Sequence, residues 1–345
     1  MSQLDALINK YNKEADATII SVGIKRFDIP KIPFSSPRAN YVTYGGIPMY
    51  RLTEFSGEDS GGKTTSALDI IGNYQKLPES KRVLYIDHEG TYDEYWATKL
   101  GVDVTSVIVF TPEQQTAEQI FDMILEFVKT NEIGLIVIDS VACLLPAQVK
   151  DKSIANQQDM AGVAKPLTRF CKELCPYLHK YKCTGLVINQ LRDDMNSMWG
   201  GVTTPGGKGL KHFCSLRLRF SKGQMFDKNF APVTSNCENP YGHYVKIALL
   251  KSKVSKPDRR LGSYTLVYTE GIDAIGDTID VGVELGYILK GGAWFKVVDQ
   301  ETGEISDTLK FQGRAKIIQY YRDNPEEYKK LFELVNNKIC EVTND

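Results

Sequence analysis

The sequence has 345 residues, of which 42% are hydrophobic and 25% are charged, and its formal net charge is −1. This composition is typical of globular proteins and excludes a disordered chain. The length exceeds what one ordinary hydrophobic core holds, so we expect one large domain with smaller attachments. Because the net charge is close to zero, a polyanion would have to be bound by local basic loops and not by the field of the whole protein.

Cysteine content and hydropathy indicate the compartment. Seven cysteines, an odd number in a long chain, are typical of reduced thiols. No apolar run approaches the roughly 20 residues of a membrane span. The first residues, Met-Ser-Gln-Leu-Asp, lack the basic and then apolar pattern of a secretory signal. We therefore expect a cytoplasmic protein with no membrane partner.

The first 40 residues are predicted to form a helix followed by an extended linker. Residues 28–40 contain three prolines and two serines, which favours an extended chain. Such an arm cannot bury its apolar face alone, so we expect it to pack against the core or against a neighbouring molecule. The helix is predicted from the spacing of four apolar side chains, Leu4, Leu7, Ile8 and Tyr11.

A phosphate-binding motif follows. Residues 57–64 read G-x-x-x-x-G-K-T and lie between a strand-like segment, Tyr50–Phe55, and a helical one, Thr64–Gln75. The helix N-terminus would add partial positive charge beneath bound phosphates. The alternative is a glycine-rich turn before a helix, but the lysine, the threonine and both flanking elements occur in the order that a phosphate cradle needs.

Each residue type in this cradle has an expected role. Gly57 and Gly62 are expected to take positive φ angles, which turn backbone N–H groups inward. Lys63 is expected to reach the β- and γ-phosphates, and Thr64 to offer its hydroxyl to Mg²⁺. The predicted nucleotide-binding residues of the cradle are Gly57, Glu58, Asp59, Ser60, Gly61, Gly62, Lys63 and Thr64.

From residue 44 onwards the pattern is that of an α/β fold. Helix-period segments such as Thr116–Thr130 separate short apolar runs, which lie at residues 83–86, 107–110, 135–138 and 186–188. This alternation predicts a mostly parallel central sheet covered by helices on both faces. Later runs follow one another without helices and predict antiparallel strands on one side of the sheet; they lie at residues 215–220, 244–250 and 264–268. Beyond Tyr268, helical segments and a Gly-Gly turn predict a small C-terminal domain.

Polar residues follow three of the predicted strands. Asp139 ends a buried strand and fits the carboxylate that orients Mg²⁺, although a plain strand-end turn is the alternative. Glu89 stands just past another strand, where a carboxylate could polarise the attacking water, and its alternative is a solvated loop residue. Gln190 ends a third strand, and its amide could contact a γ-phosphate.

The segment after Gln190 is long, glycine-rich and without periodicity. Residues 191–208 contain single apolar residues and a basic residue near each end. Loops of this composition bind single-stranded nucleic acid, because basic groups follow the phosphates and apolar groups insert between bases. A flexible lid over the nucleotide is the alternative.

Taken together, these segments resemble the RecA family of DNA recombinases, in its bacterial or phage branch. The resemblance runs from Tyr44 to Ile339. The matching stretches are Gly46–Met49, the cradle with Thr65, Asp87–Glu89, Lys99–Asp103, Asp139–Ala142, Asn189–Arg192, Thr204–Gly207, Gly209–Lys211, Glu270–Asp273 and Gly291–Phe295. The implied fold is a RecA-like P-loop ATPase core with a small α+β C-terminal domain. The implied division is 1–40 for the polymerisation helix and linker, 41–269 for the core and 270–345 for the C-terminal domain.

The resemblance also implies roles for single residues. Glu89 would be the catalytic base and Gln190 the γ-phosphate sensor, while Asp93 and Trp96 match adenine-binding positions. Lys251 and Lys253 match a pair that reaches the γ-phosphate held by the adjacent protomer. Residues 152–160 and 191–208 match the two DNA-binding loops. The DNA-binding positions are Lys165, Lys172, Arg192, Trp199, Gly206, Gly207, Lys208 and Lys211.

The implied activity is DNA-dependent ATP hydrolysis, with ATP and Mg²⁺, in a filament that pairs single-stranded with duplex DNA and exchanges strands. Single-strand-binding and loading proteins are the further partners implied. A hexameric helicase-type motor and a nucleotide-binding mediator are the rival interpretations. Three features depart from the family: His212 stands where phenylalanine is usual, the connection 223–241 is longer, and the acidic tail is missing, which fits a phage-encoded version.

Overall fold

The computed structural model describes residues 2–14, 29–150, 163–193, 201–234, 236–299 and 303–341. The helices in these ranges are α1 Gln3–Glu14, α2 Pro37–Thr43, α3 Lys63–Gln75, α4 Glu94–Lys99, α5 Ala117–Lys129, α6 Ala147–Lys150, α7 Ala164–Lys180, α8 Gly207–Phe213, α9 Ala274–Glu284, α10 Arg314–Asp323 and α11 Pro325–Cys340. Among the described residues, no helix is both long enough and apolar enough to cross a bilayer.

The strands form one large sheet and several small ones. The strands are β1 Lys31–Ile32, β2 Ile47–Pro48, β3 Leu52–Gly57, β4 Arg82–Asp87, β5 Val107–Phe110, β6 Ile133–Asp139, β7 Thr184–Gln190, β8 Arg192–Asp193, β9 Val202–Thr203, β10 Leu216–Phe226, β11 Pro232–Val233, β12 Gly242–Ser252, β13 Leu261–Val267, β14 Gly271–Ile272, β15 Ile288–Gly291, β16 Trp294–Val298 and β17 Ile305–Gln312. The large sheet has the order β14-β13-β12-β10-β3-β7-β6-β4-β5, with β11 beside β10.

The predicted mostly parallel sheet is confirmed. Strands β10, β3, β7, β6, β4 and β5 run parallel to one another, and β12, β13 and β14 extend the sheet with antiparallel pairing. The prediction that residues 215–220 are antiparallel holds on one side only. Because α8 returns the chain to the edge where β3 begins, β10 runs parallel to β3, and it is antiparallel to β12.

Helices cover both faces of this sheet, as the continuous apolar strands predict. On one face, α2 and α3 pack in a core that includes Phe55, Ile70 and Phe220. On the other face, α5, α7 and α8 pack together. The rings of Phe121 in α5 and Phe170 in α7 stack with centroids 4.2 Å apart. The carboxyl ends of the parallel strands therefore lie together at one end of the sheet, between the two helical layers.

The segment predicted as an extended linker differs from that prediction. Strand β1 pairs with β2, and Pro37 begins helix α2, where a missing N–H costs no hydrogen bond. Phe34, Ala39 and Val42 are fully buried. Pro37 therefore begins a helix inside the core. By contrast, α1 has no buried residue, and Leu4 and Leu7 are 64% and 49% exposed.

Residues 274–299 and 303–341 contain a separate small core. The antiparallel sheet β15-β16-β17 and helices α9, α10 and α11 enclose Ile279, Phe295 and Val335. Helix α9 lies against α2 and β13, so this unit is joined to the main sheet. An α+β arrangement at this end agrees with the predicted fold class, while the division at residue 270 stays a prediction.

A buried carboxylate, Asp277, links the two cores. Its Oδ2 accepts hydrogen bonds from Ser36 Oγ (2.7 Å) and from the Thr265 amide (3.1 Å), and its Oδ1 accepts from Thr265 Oγ1 (2.7 Å). Burial raises the pKa of Asp277 to about 6, and the three hydrogen bonds oppose that shift. The ionised carboxylate is therefore a cost to the folded state.

Replacing this carboxylate is expected to make stability less dependent on pH. The folded-state pKa of Asp277 lies above the unfolded value of about 3.9, so its cost is absent below about pH 4 and complete above about pH 6. In Asp277→Asn the amide oxygen can keep the bonds from Ser36 and the Thr265 amide. The variant should gain up to about 3 kcal/mol relative to wild type between pH 4 and pH 7. Urea unfolding at several pH values measures this difference, and a difference that is constant with pH would contradict the prediction.

Candidate nucleotide-binding site

The cradle lies where β3 ends and α3 begins. Gly62 is the N-cap of α3 with φ 92°, as predicted, and Ser60 also takes a positive φ of 58°. Gly57 does not take a positive φ, so that prediction is wrong. Glycine is required here for a steric reason, because a Cβ at Gly57 would lie 2.2 Å from the carbonyl oxygen of Phe220 on β10. Close packing of two strands thus selects glycine at the first motif position.

Lys63 is held inside the cradle. Its Nζ donates to the Glu58 carbonyl oxygen at 2.6 Å, and the residue is 8% exposed. Burial lowers the pKa of Lys63, while the charges of Asp59, Asp139 and Glu89 oppose the shift. A cation folded onto a loop carbonyl can exchange that partner for a phosphate oxygen.

Thr64 and Asp139 are brought together across the sheet. Thr64 Oγ1 donates to Asp139 Oδ2 at 2.8 Å, and Tyr85 Oη donates to the same oxygen at 2.9 Å. Burial raises the pKa of Asp139, and these two hydroxyls counteract it. A hydroxyl and a carboxylate are hard oxygen ligands of the kind that Mg²⁺ prefers, so the pair fits a magnesium site.

Glu89 and Gln190 also lie at the carboxyl ends of the parallel strands. The Glu89 Oε1 atom accepts from Gln190 Nε2 at 3.0 Å and from Ser140 Oγ at 2.6 Å. Cys143 Sγ lies 3.6 Å from the same oxygen. The loop that carries Glu89 is fixed because Asp87 accepts from two backbone amides, those of Thr91 and Tyr92. Sequence reasoning placed Glu89 and Gln190 separately and did not assign the serine or the cysteine.

The predicted adenine-binding residues lie beside the cradle. Asp93 caps α4 and accepts from the Tyr95 and Trp96 amides at 2.9 and 3.1 Å. Trp96 Nε1 donates to Thr65 Oγ1 at 3.4 Å, so the indole is held next to the first turn of α3. This contact gives Thr65 a position in the site that the motif alone does not explain.

Three further residues line the cradle and were missed from the sequence. A cavity of about 260 Å³ is bounded by residues 60–65 together with His243, Leu266 and Tyr268. His243 Nδ1 lies 3.0 Å from Tyr268 Oη, and burial and the Lys222 charge lower the pKa of His243 to about 4. His243 lies on β12, Leu266 lies on β13 and Tyr268 directly follows β13, and no local motif marks these positions.

The ends of the predicted second DNA loop are fixed. Strands β8 and β9 pair Arg192 with Thr203, and Lys211 Nζ donates to Thr203 Oγ1 at 3.0 Å. Gly206 and Gly207 take φ angles of 95° and 69° where α8 begins. Lys208 on α8, and Lys165 and Lys172 on α7, are exposed. Trp199 and residues 152–160 lie outside the described residues.

Lys251 and Lys253 lie at the opposite end of the sheet from the cradle, where the parallel strands begin. Strand β12 runs antiparallel to β10, so its end lies where the parallel strands begin. Lys251 Nζ donates to the carbonyl oxygens of Lys211 and His212 at 2.6 and 2.9 Å, and Lys253 Nζ donates to that of His212 at 2.8 Å. Within one chain, therefore, these lysines do not join Lys63.

Comparison with known proteins agrees with this geometry. The RecA N-terminal domain family matches residues 4–273. Protein RecA of Ureaplasma parvum is 32% identical over 345 residues, which cover 98% of this chain and 97% of the relative. Protein RecA of Chloroherpeton thalassium is 33% identical over 284 residues (82% and 76%), and that of Rickettsia bellii 33% over 302 residues (87% and 81%).

These matches span most of the chain and contain the cradle, Asp139, Glu89 and Gln190. The chain therefore belongs to the RecA family, whose members bind nucleotide and DNA, form filaments and act as DNA-dependent ATPases in homologous recombination and strand exchange.

Proposed function

We propose that this recombinase uses ATP and Mg²⁺, with the carboxylate of Glu89 as the base for hydrolysis. The observation that carries the proposal is the convergence of four groups: Thr64, in the first turn of α3, contacts Asp139, and Gln190 contacts Glu89, with the last three at or just past the carboxyl ends of strands. Bound Mg²⁺ would neutralise charge that develops on the phosphates. Thr64 and Asp139 would hold it, Lys63 would contact the phosphates, and Glu89 would take a proton from water.

We further propose that the γ-phosphate lies between protomers. Lys251 and Lys253 lie at the end of the sheet opposite the cradle. This position suits contact with the nucleotide of an adjacent copy. Helix α1, with its exposed apolar face, would be the polymerisation element of the first 40 residues. The core 41–269 and the C-terminal unit 270–345 complete the proposed division of the chain.

DNA is proposed to lie along the two loops. Basic groups would neutralise phosphates, and Trp199 would insert between bases. Gly206 and Gly207 would let the backbone approach the strand. The proposed contacts are Lys165, Lys172, Arg192, Trp199, Gly206, Gly207, Lys208 and Lys211. Single-strand-binding and loading proteins are the further partners proposed, in the cytoplasm of a bacterial or phage-infected cell.

One experiment separates this proposal from its rivals. ATP hydrolysis is measured with and without single-stranded DNA, and the same samples are imaged by electron microscopy. We expect hydrolysis to be stimulated by DNA and helical filaments to form with ATP and Mg²⁺. Closed rings that unwind a forked duplex would favour the hexameric motor. Nucleotide binding without stimulated hydrolysis would favour the mediator.

A further inference from the structure

The oxygen Oε1 of Glu89 is shared by several donors. Ser140 Oγ, Gln190 Nε2 and Cys143 Sγ lie at 2.6, 3.0 and 3.6 Å from it. Among the described residues, no donor contacts the other carboxylate oxygen, Oε2. Of the two carboxylate oxygens, the described residues therefore hold Oε1 and leave Oε2 open to a water molecule.

The three donors are not equivalent. Gln190 ends β7 and begins the segment that leads to the DNA loop, and the γ-phosphate is its proposed second partner. Its bond to Glu89 must then be given up during the cycle. Ser140 follows β6, is fully buried and has no such second role. Burial raises the pKa of Cys143, so its thiol stays protonated, but a thiol is a weak donor.

The serine is also rigidly placed relative to Glu89. Strands β4 and β6 are neighbours, and Asp87 is paired with Asp139. The His88 amide donates to the Asp139 carbonyl oxygen at 2.8 Å, and the His88 ring lies 2.8 Å from the Cys143 carbonyl oxygen. These bonds join the segment before Glu89 to the segment that carries Ser140.

We propose that Ser140 is a positioning residue for hydrolysis: it anchors Oε1 of Glu89 so that Oε2 faces the attacking water after Gln190 has turned to the γ-phosphate. This inference rests on the proposed role of Glu89 as the base. A base must be held within hydrogen-bond reach of the proton that it removes, and a small displacement lowers the rate strongly.

The test compares Ser140→Ala with Ser140→Cys, whose thiol is somewhat larger than the hydroxyl and is only a weak donor. DNA-stimulated kcat is expected to fall about 10- to 100-fold in Ser140→Ala and less in Ser140→Cys, with KM for ATP within about twofold of wild type. ATP-dependent DNA binding should persist in both. Ser106→Ala is the control, because it removes a hydroxyl that accepts from Gln75 at 2.8 Å at the amino end of β5, away from the carboxyl ends of the strands.

The double variant Ser140→Ala/Glu89→Gln distinguishes the two proposals. If Ser140 acts through Glu89, the double variant hydrolyses ATP no more slowly than Glu89→Gln alone. An unchanged kcat in Ser140→Ala, or a parallel loss of DNA binding, would overturn the positioning role. If Glu89→Gln itself keeps normal turnover, the assignment of the base fails, whatever Ser140→Ala does.

Discussion

A Glu89→Gln variant is expected to bind ATP and single-stranded DNA but to hydrolyse ATP at least about 100-fold more slowly than wild type. The amide cannot take a proton from water. It has nearly the shape of the carboxylate, and its oxygen can still accept from Ser140 and Gln190, which now lie at 2.6 and 3.0 Å from Oε1. The cradle and the bond between Thr64 and Asp139 are untouched, so nucleotide binding should persist.

Phosphate release measures the rate, and fluorescence anisotropy of a labelled oligonucleotide measures DNA binding with ATP. Glu126→Gln is a matched control, because it makes the same substitution at an exposed glutamate of α5 that has no proposed chemical role. If DNA binding disappears together with turnover in Glu89→Gln, this residue does more than act as a base.

The sequence was sufficient to predict the residues that stand at strand ends. Asp139, Glu89 and Gln190 each follow an apolar run, and parallel strands bring their carboxyl ends to one edge. Their hydrogen bonds could not be predicted, because the spacing along the chain does not say that Ser140 and Gln190 share one oxygen. Neighbouring strands are set by the order of the sheet, which is a property of the whole fold.

Residues supplied from distant parts of the chain were harder to find. His243 on β12 and Tyr268 just after β13 line the cradle, although the local pattern of these strands predicts only an amphipathic part of the sheet. The proline content of residues 28–40 suggested an extended arm, yet Pro37 occupies the first turn of a buried helix. In both cases tertiary packing decided what local propensity left open.

The double variant Lys251→Ala/Lys253→Ala is expected to lose DNA-stimulated hydrolysis by about 1,000-fold while its cradle still binds ATP. A cation supplied by a neighbouring molecule to a γ-phosphate contributes on the order of 10³ or more to the rate. Both ammonium groups now donate to carbonyls at the end of α8, so they can be released to a stronger anion. Loss of the hydrogen bonds to the α8 carbonyls alone should lower the free energy of unfolding by only about 0.3–1 kcal/mol.

Mixing two inactive variants tests whether the lysines act between molecules. Lys63→Ala retains Lys251 and Lys253 but lacks the cradle lysine, and the Lys251→Ala/Lys253→Ala variant has the opposite defect. In an equimolar filament, roughly a quarter of the interfaces would join an intact cradle to an intact lysine pair, because the contact is head-to-tail. DNA-stimulated hydrolysis should therefore return in the mixture. If the mixture is as inactive as its components while filaments still form, the lysines do not complete the site of a neighbour.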